Sequence, residues 1–218
     1  MSKSRALYIS WLLILSPLWI SVAVSQGTQK TITKISTRII EPNPASASFT
    51  AQPKIIWRTE TQYARIAESN DVHHHIHALM IVNEPDVWMI NLFDKSGRHM
   101  IDSGPPEVQI PIFAQPGETN DKLVDLEFGR DLQFFSKNHA NQSAGEMING
   151  KMTDRYEMTV SGRRLILWTD PESQKPVRIS MVEGRKTQTL EYLSYETHLP
   201  FDPCLFRPPD GVRIVEAK

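Results

Sequence analysis

Val87–Phe93 reads VWMINLF, with large apolar side chains at both odd and even positions. Successive residues of a strand point to opposite faces, so Trp88, Ile90 and Leu92 share one side and Val87, Met89 and Phe93 the other. An antiparallel sheet packed on one face alternates apolar with polar residues, and this segment does not. Leu79 and Ile81 extend the same double character upstream. Arg164–Trp168, RLILW, repeats it, with Leu165 and Leu167 opposite Ile166 and Trp168. Both faces of such a sheet must be covered, or one must line a cavity. On these residues two architectures stand level: a β-sandwich with two buried layers, and a barrel that holds an apolar ligand.

The flanking sequence is mostly strand. KIIWRTETQYARIA, VHHHIHALMIV, VWMINLFD and RHMIDSG are separated by ESND, NEPD and KSG, turn chemistry that predicts a four-strand antiparallel meander. PPEVQIPIFAQPGETN is too rich in proline for a central strand. DKLVDLEFGRDLQFFSKNHA is the single candidate helix, with Leu123, Leu126, Leu132 and Phe135 near helical spacing and Gly129 weakening it. A second meander follows through DRYEMTV, RRLILWTD, PVRISMVE and TQTLEYLSYETH, before a proline-punctuated segment and a last strand.

Residues 1–25 carry Lys3 and Arg5, then an apolar stretch, then Ala23-Val24-Ser25, the pattern of a signal peptide cleaved near Ser25. The expected product is exported, periplasmic and without a stable transmembrane segment. Residues 26–53 form an N-terminal segment and Pro/Ser connector, and 54–218 a β-rich domain. Losing Lys3 and Arg5 takes the net charge from −1 to about −3. No basic stripe with interleaved aromatics suggests nucleic acid as a partner. Cys204 is the only cysteine, so no intramolecular disulfide can form, and it reads as a small buried hydrophobe.

Four of the seven histidines crowd into His73–His77. If ESND is the turn of a hairpin, Ile76 opposes Tyr63. One face then collects Trp57, Tyr63, Ile76, Ala78, Met80 and Val82, with His73, His75 and His77 on the other. Same-face neighbours lie roughly 6.6 Å apart, so one ion could take two adjacent histidines but hardly three. His75 and His77 are therefore weak metal candidates, and no HExxH, CxxC or EF-hand pattern supports them. No nucleophile elbow, SxxK, P-loop or GxGxxG is present. His198 and Cys204, six residues apart in a loop, make a poor dyad. No catalytic residue and no cofactor is assigned.

The segment YEMTVSGRRLILWTDPESQKPVRISMVEGRKTQTLEYLSYETHLPFDPCLFRPPDGVRIVE, with PDVWMINL, GRHMIDSGP and LEFG before it, resembles the periplasmic lipoprotein- and lipid-carrier (LolA-like) superfamily. The resemblance is nearest to exported bacterial proteins of undefined function and covers about Lys54 to Glu216. The family usually opens with an amphipathic helix, whereas TITKISTRII is too β-branched for one. The resemblance implies a mainly β (α+β) fold: a single antiparallel curved sheet, an open half-barrel partly filled by one or two helices. The expected function, taken with the apolar double-sided strands, is that of a non-catalytic exported protein that holds or carries an apolar ligand, a lipid or lipoprotein acyl chain, in the cell envelope. The expected apolar lining is Trp57, Tyr63, Ile76, Met80, Met89 and Trp168. The alternative is an envelope assembly or interaction module with a filled core, meeting an envelope protein partner through Arg58, Glu60 and the histidines.

Overall fold

Runs of β-branched and aromatic residues between Asn, Gly and Pro turns assemble into one twelve-stranded sheet. The structure, a computed structural model, describes residues 30–41, 51–113 and 122–217. In chain order the strands are β1 (Thr31–Glu41), β2 (Lys54–Arg58), β3 (Tyr63–Glu68), β4 (Ala78–Asn83), β5 (Asp86–Asn91) and β6 (Ser96–Ile101). Then come β7 (Asn141–Ile148), β8 (Lys151–Val160), β9 (Arg163–Thr169), β10 (Pro176–Glu183), β11 (Lys186–Pro200) and β12 (Arg213–Glu216). The spatial order is β12-β6-β5-β4-β3-β2-β1-β11-β10-β9-β8-β7. Every pairing is antiparallel except β12 with β6. β12 and β7 are unjoined edges, so the sheet is an open half-barrel, mainly β with one α-helix among the described residues.

Both meanders are present, with corrections. KIIWRTETQYARIA is two strands, β2 and β3, because Thr59–Gln62 make a turn that Tyr63 closes onto Thr59. The first meander therefore has five strands. β7, the polar NQSAGEMI, pairs with β8 although no apolar pattern announced it. TITKISTRII is a strand, as its β-branching implied, and lies mid-sheet between β2 and β11.

The candidate helix splits. Lys122–Asp125 is a short 3-10 turn, and the α-helix α1 spans only Asp131–Lys137. Gly129 separates them at φ +86°, and a Cβ there would meet Arg58 Cδ at 2.9 Å. This residue must be glycine both for its conformation and for the close approach. The two pieces join the Pro-rich segment 107–113 as a plug on the concave face. Val108, Ile110, Ile112, Leu123, Leu126, Phe134 and Phe135 pack there against Ile35, Ile56, Ala64, Leu165, Leu167 and Ile179 of the sheet. Each such fully buried side chain contributes about 1.5–3 kcal/mol.

The convex face is covered separately. Phe201, Leu205 and Phe206, after β11, pack with Ile32, Tyr63, Leu79, Ile81 and Ile90. Under the other half, Ile148 at the bulged end of β7 packs on Ile166 and Trp168. The double-sided strands thus have covering on both sides. Cys204 belongs to the convex cover but is exposed rather than buried, because its 3-10 turn directs Leu205 and Phe206 inward instead.

Candidate functional site

The β3–β4 register decides which side chains share a face. Tyr63 pairs with Asn83, Ala64 with Val82 and Ile66 with Met80, so Ile76 does not oppose Tyr63. The connector is longer than ESND because Asp71–Ile76 closes into its own turn, with Asp71 N–H donating to Ile76 O at 2.7 Å and Ile76 N–H to Asp71 O at 3.0 Å. Asp71 Oδ1 accepts the His73 and His74 N–H groups at 3.0 and 3.1 Å. The histidines are turn residues rather than the start of a strand. His75 sits at φ 56° with its ring stacked on Phe93 at 4.7 Å, and Asn91 Oδ1 accepts the His77 N–H at 2.9 Å. Among the described residues no group of three or more metal-ligating side chains converges.

This register divides the expected lining. Met80 and Met89 are cross-strand neighbours on the concave face. Trp57 and Tyr63 lie on the convex face, Tyr63 in edge contact with Phe201 at 5.1 Å. Trp168 is buried in the other convex cluster, and Ile76 is 40% exposed in the histidine turn. Only the two methionines are therefore brought together on the concave face.

They line a cavity of about 700 Å³ where the plug stops short of the sheet's first half. Ile39 of β1, Ile56 of β2, Ile66 of β3 and Leu190 of β11 supply the remaining sheet wall, while Ile110, Ile112 and Phe128 of the plug close the other side. The volume lies within the range of small-molecule sites, as does the mostly apolar lining. Polar groups stand at the rim: Gln52, Gln188, and a Lys54–Glu68 ion pair at 2.6 Å. The sequence held a signal for the plug residues, since Val108, Ile110 and Ile112 alternate within PPEVQIPIF. Ile39, Ile66 and Leu190 carry none without the register.

A larger polar groove, about 1100 Å³, runs beside α1 past Arg58, Glu127, Arg130 and His198. Its buried charges are engaged in holding the plug. Arg58 and Glu127, 3% and 4% exposed, form an ion pair at 2.9 Å. Arg58 also donates to the carbonyl of Phe128 at 2.7 Å, and Arg130 reaches Glu127 Oε1 at 3.2 Å. Arg58 is thus unavailable as the exposed partner-binding residue expected from sequence. Nearby, the buried Asp131 carboxylate accepts from the Tyr192 hydroxyl and from Gly129 N–H at 3.0 Å. Burial pushes its pKa up to about 6, against the opposing pull of the Tyr192 hydrogen bond. These contacts fasten the helix to β11 and leave the apolar cavity as the candidate site.

No protein-family model matches the chain, and no curated protein matches it. Similar solved structures include an uncharacterised conserved protein from Thermus thermophilus, 8% identical over 85% of this chain and 90% of that one, TM-score 0.49. A DUF1329 family protein from Desulfovibrio piger is 9% identical over 82% and 90% of the two chains, TM-score 0.40. A LolA superfamily protein from Nitrosomonas europaea is 10% identical over 82% and 90%, TM-score 0.31. With TM-scores below 0.5, function rests on this chain's own geometry. Among the described residues no helix is long and apolar enough to cross a membrane. The structural neighbours thus include a member of the LolA superfamily, the group that the sequence resembles.

Proposed function

We propose that this chain is a non-catalytic exported protein that holds or carries an apolar ligand, a lipid or lipoprotein acyl chain, in the cell envelope. The observation that carries this reading is the 700 Å³ cavity between sheet and plug, whose walls are mostly Ile, Met, Leu and Phe side chains. Each CH₂ moved into it from water gains about 0.8 kcal/mol. Export rests on residues 1–25, which lie outside the described residues. Met80 and Met89 remain proposed lining, joined by Ile56, Ile66 and Leu190.

The test is native mass spectrometry of protein taken from its own envelope, with lipid extraction, beside an Ile66→Trp variant that fills the cavity. A lipid adduct on the parent and none on the variant supports the reading. An adduct-free parent that takes up no added lipid removes it. One observation favours the alternative, an interaction module: Met147 and Met152 are cross-strand partners at the β7 edge, 66% and 54% exposed. A second chain covering them would protect both from oxidation.

A further inference from the structure

The cavity has an open end, and what lies beyond it narrows the ligand class. On the concave face Met80 of β4, Met89 of β5, Arg98 of β6 and Val215 of β12 are successive cross-strand neighbours. Ala78, Asn91, Ser96 and Arg213 form the adjacent row. A shallower trough of about 460 Å³ follows these rows and shares Met89 and Asn91 with the main cavity. Its floor is unusually apolar for open surface, with Met89 55% and Val215 52% exposed.

Among the described residues the charged side chains that line the trough, Arg98 and Arg213, have one sign. Arg98 and Arg213 are exposed, and neither has a carboxylate within ion-pair distance among the described residues. Arg213 is near enough to Asp94 to help lower that carboxyl's pKa, but Asp94 is hydrogen-bonded to Ser96 and does not line the trough. Among the described residues Glu68 is the only carboxylate lining either cavity, and Lys54 neutralises it at 2.6 Å. With strands about 4.8 Å apart, Arg98 stands roughly 10 Å across the sheet from Met80. A chain that ends in the cavity can therefore leave its polar end beside both guanidinium groups.

We infer that the site takes an anionic single-chain amphiphile: the acyl chain lies between sheet and plug, and a carboxylate or phosphate sits at Arg98 and Arg213. This deepens the proposed function and rests on it. Guanidinium suits the role because its planar fork matches both anions with paired, charge-assisted hydrogen bonds. The bland role for the same arginines is protection of an exposed sheet edge against pairing with another chain.

The experiment is calorimetric titration of the full chain with two matched pairs, each below its micellar concentration. One pair is lauroyl-lysophosphatidylglycerol and monolauroylglycerol; the other is laurate and lauryl alcohol. The expected result is a charged member bound about tenfold more tightly than its neutral partner at low salt. That preference falls as salt is raised, because the arginines are exposed. Whichever pair gives the larger ratio identifies phosphate or carboxylate. Arg98→Gln with Arg213→Gln brings the ratio to about one while the neutral member binds as before. Equal affinity within both pairs, or a preference that survives the double substitution, overturns the inference and leaves the cavity reading standing. So does charge preference that persists in Ile66→Trp, since the anion would then adsorb without its chain. If none of the four binds, both readings fall together.

Discussion

Glu127→Ala tests what holds the plug on the sheet. Glu127 Oε2 accepts from Arg58 Nη1 at 2.9 Å and from Ile110 N–H at 3.2 Å. At an effective dielectric of about 20, charges this close attract by roughly 5 kcal/mol, and desolvation of both groups offsets most of it. Truncating the carboxylate keeps the desolvation of Arg58 and deletes its counter-charge. Arg58 retains the carbonyls of Phe128, Thr59 and Glu60 at 2.7, 3.2 and 3.2 Å, which soften the loss. The expected destabilisation is about 3–5 kcal/mol. Arg58→Met alone should cost about 2–3 kcal/mol, because Glu127 keeps Arg130 and the Ile110 N–H. The double variant Arg58→Met/Glu127→Ala should lose at least about 2 kcal/mol less than the two singles together, since no unpaired charge remains buried. Urea unfolding followed by far-UV circular dichroism measures all three, read at unchanged slope. A Glu127→Ala cost below about 1 kcal/mol, or strictly additive singles, would refute the claim that this pair fastens the plug.

Two pH effects of opposite cause accompany it. Burial raises the Asp131 carboxyl from 3.8 to about 6, so the folded chain holds a proton that the unfolded chain releases. Its contribution to stability therefore falls as pH rises from about 4 to 6, by roughly 3 kcal/mol. In a comparison of stability–pH profiles, Asp131→Asn should lack that decline; parallel profiles would count against it. His99 is held between Glu216 Oε2 and Asp86 Oδ1, each at 2.7 Å, and the Glu216 hydrogen bond is the larger cause of its raised pKa. Its contribution is complete below the unfolded histidine value near 6.5 and is lost as pH rises through the higher folded value. Amide exchange of β12, intrinsic rates allowed for, should accelerate across that range in the parent and be insensitive to it in His99→Gln.

Much of the fold was legible because strand period and turn chemistry are local. NEPD, SG, PESQK and GRK each separate two paired strands, as read, whereas the turn expected at KSG falls earlier, at Leu92–Lys95, with Ser96 and Gly97 already in β6. The site was less legible because it depends on parity. Asp71 captures the backbone of His73 and His74, and the extra turn residues move Tyr63 to the face opposite Met80. That misplacement carried Trp57 with it. Asp71-Val72 followed by three histidines gave no period from which this turn could be read. Gly129 did mark the break in the helical pattern, but the need for its conformation came from Arg58, distant in sequence. β7 was invisible because an edge strand that buries only its last residue, Ile148, needs no apolar alternation.

The placement of β1 has a consequence for how the chain reaches this state. β2–β6 and β7–β11 are runs of neighbouring hairpins that can zip as soon as each is complete. β1 alone joins the two runs, and its partner on one side is β11: Arg38 meets Glu191 across 153 residues of chain. A ribosome or translocon delivers the N-terminus first, so β1 emerges early and waits with one edge unpaired until β11 arrives. Such distant pairings are slow and aggregation-prone while they wait. Premature termination anywhere before Lys186 would leave that edge permanently open, turning the middle of the sheet into a template for a neighbouring chain.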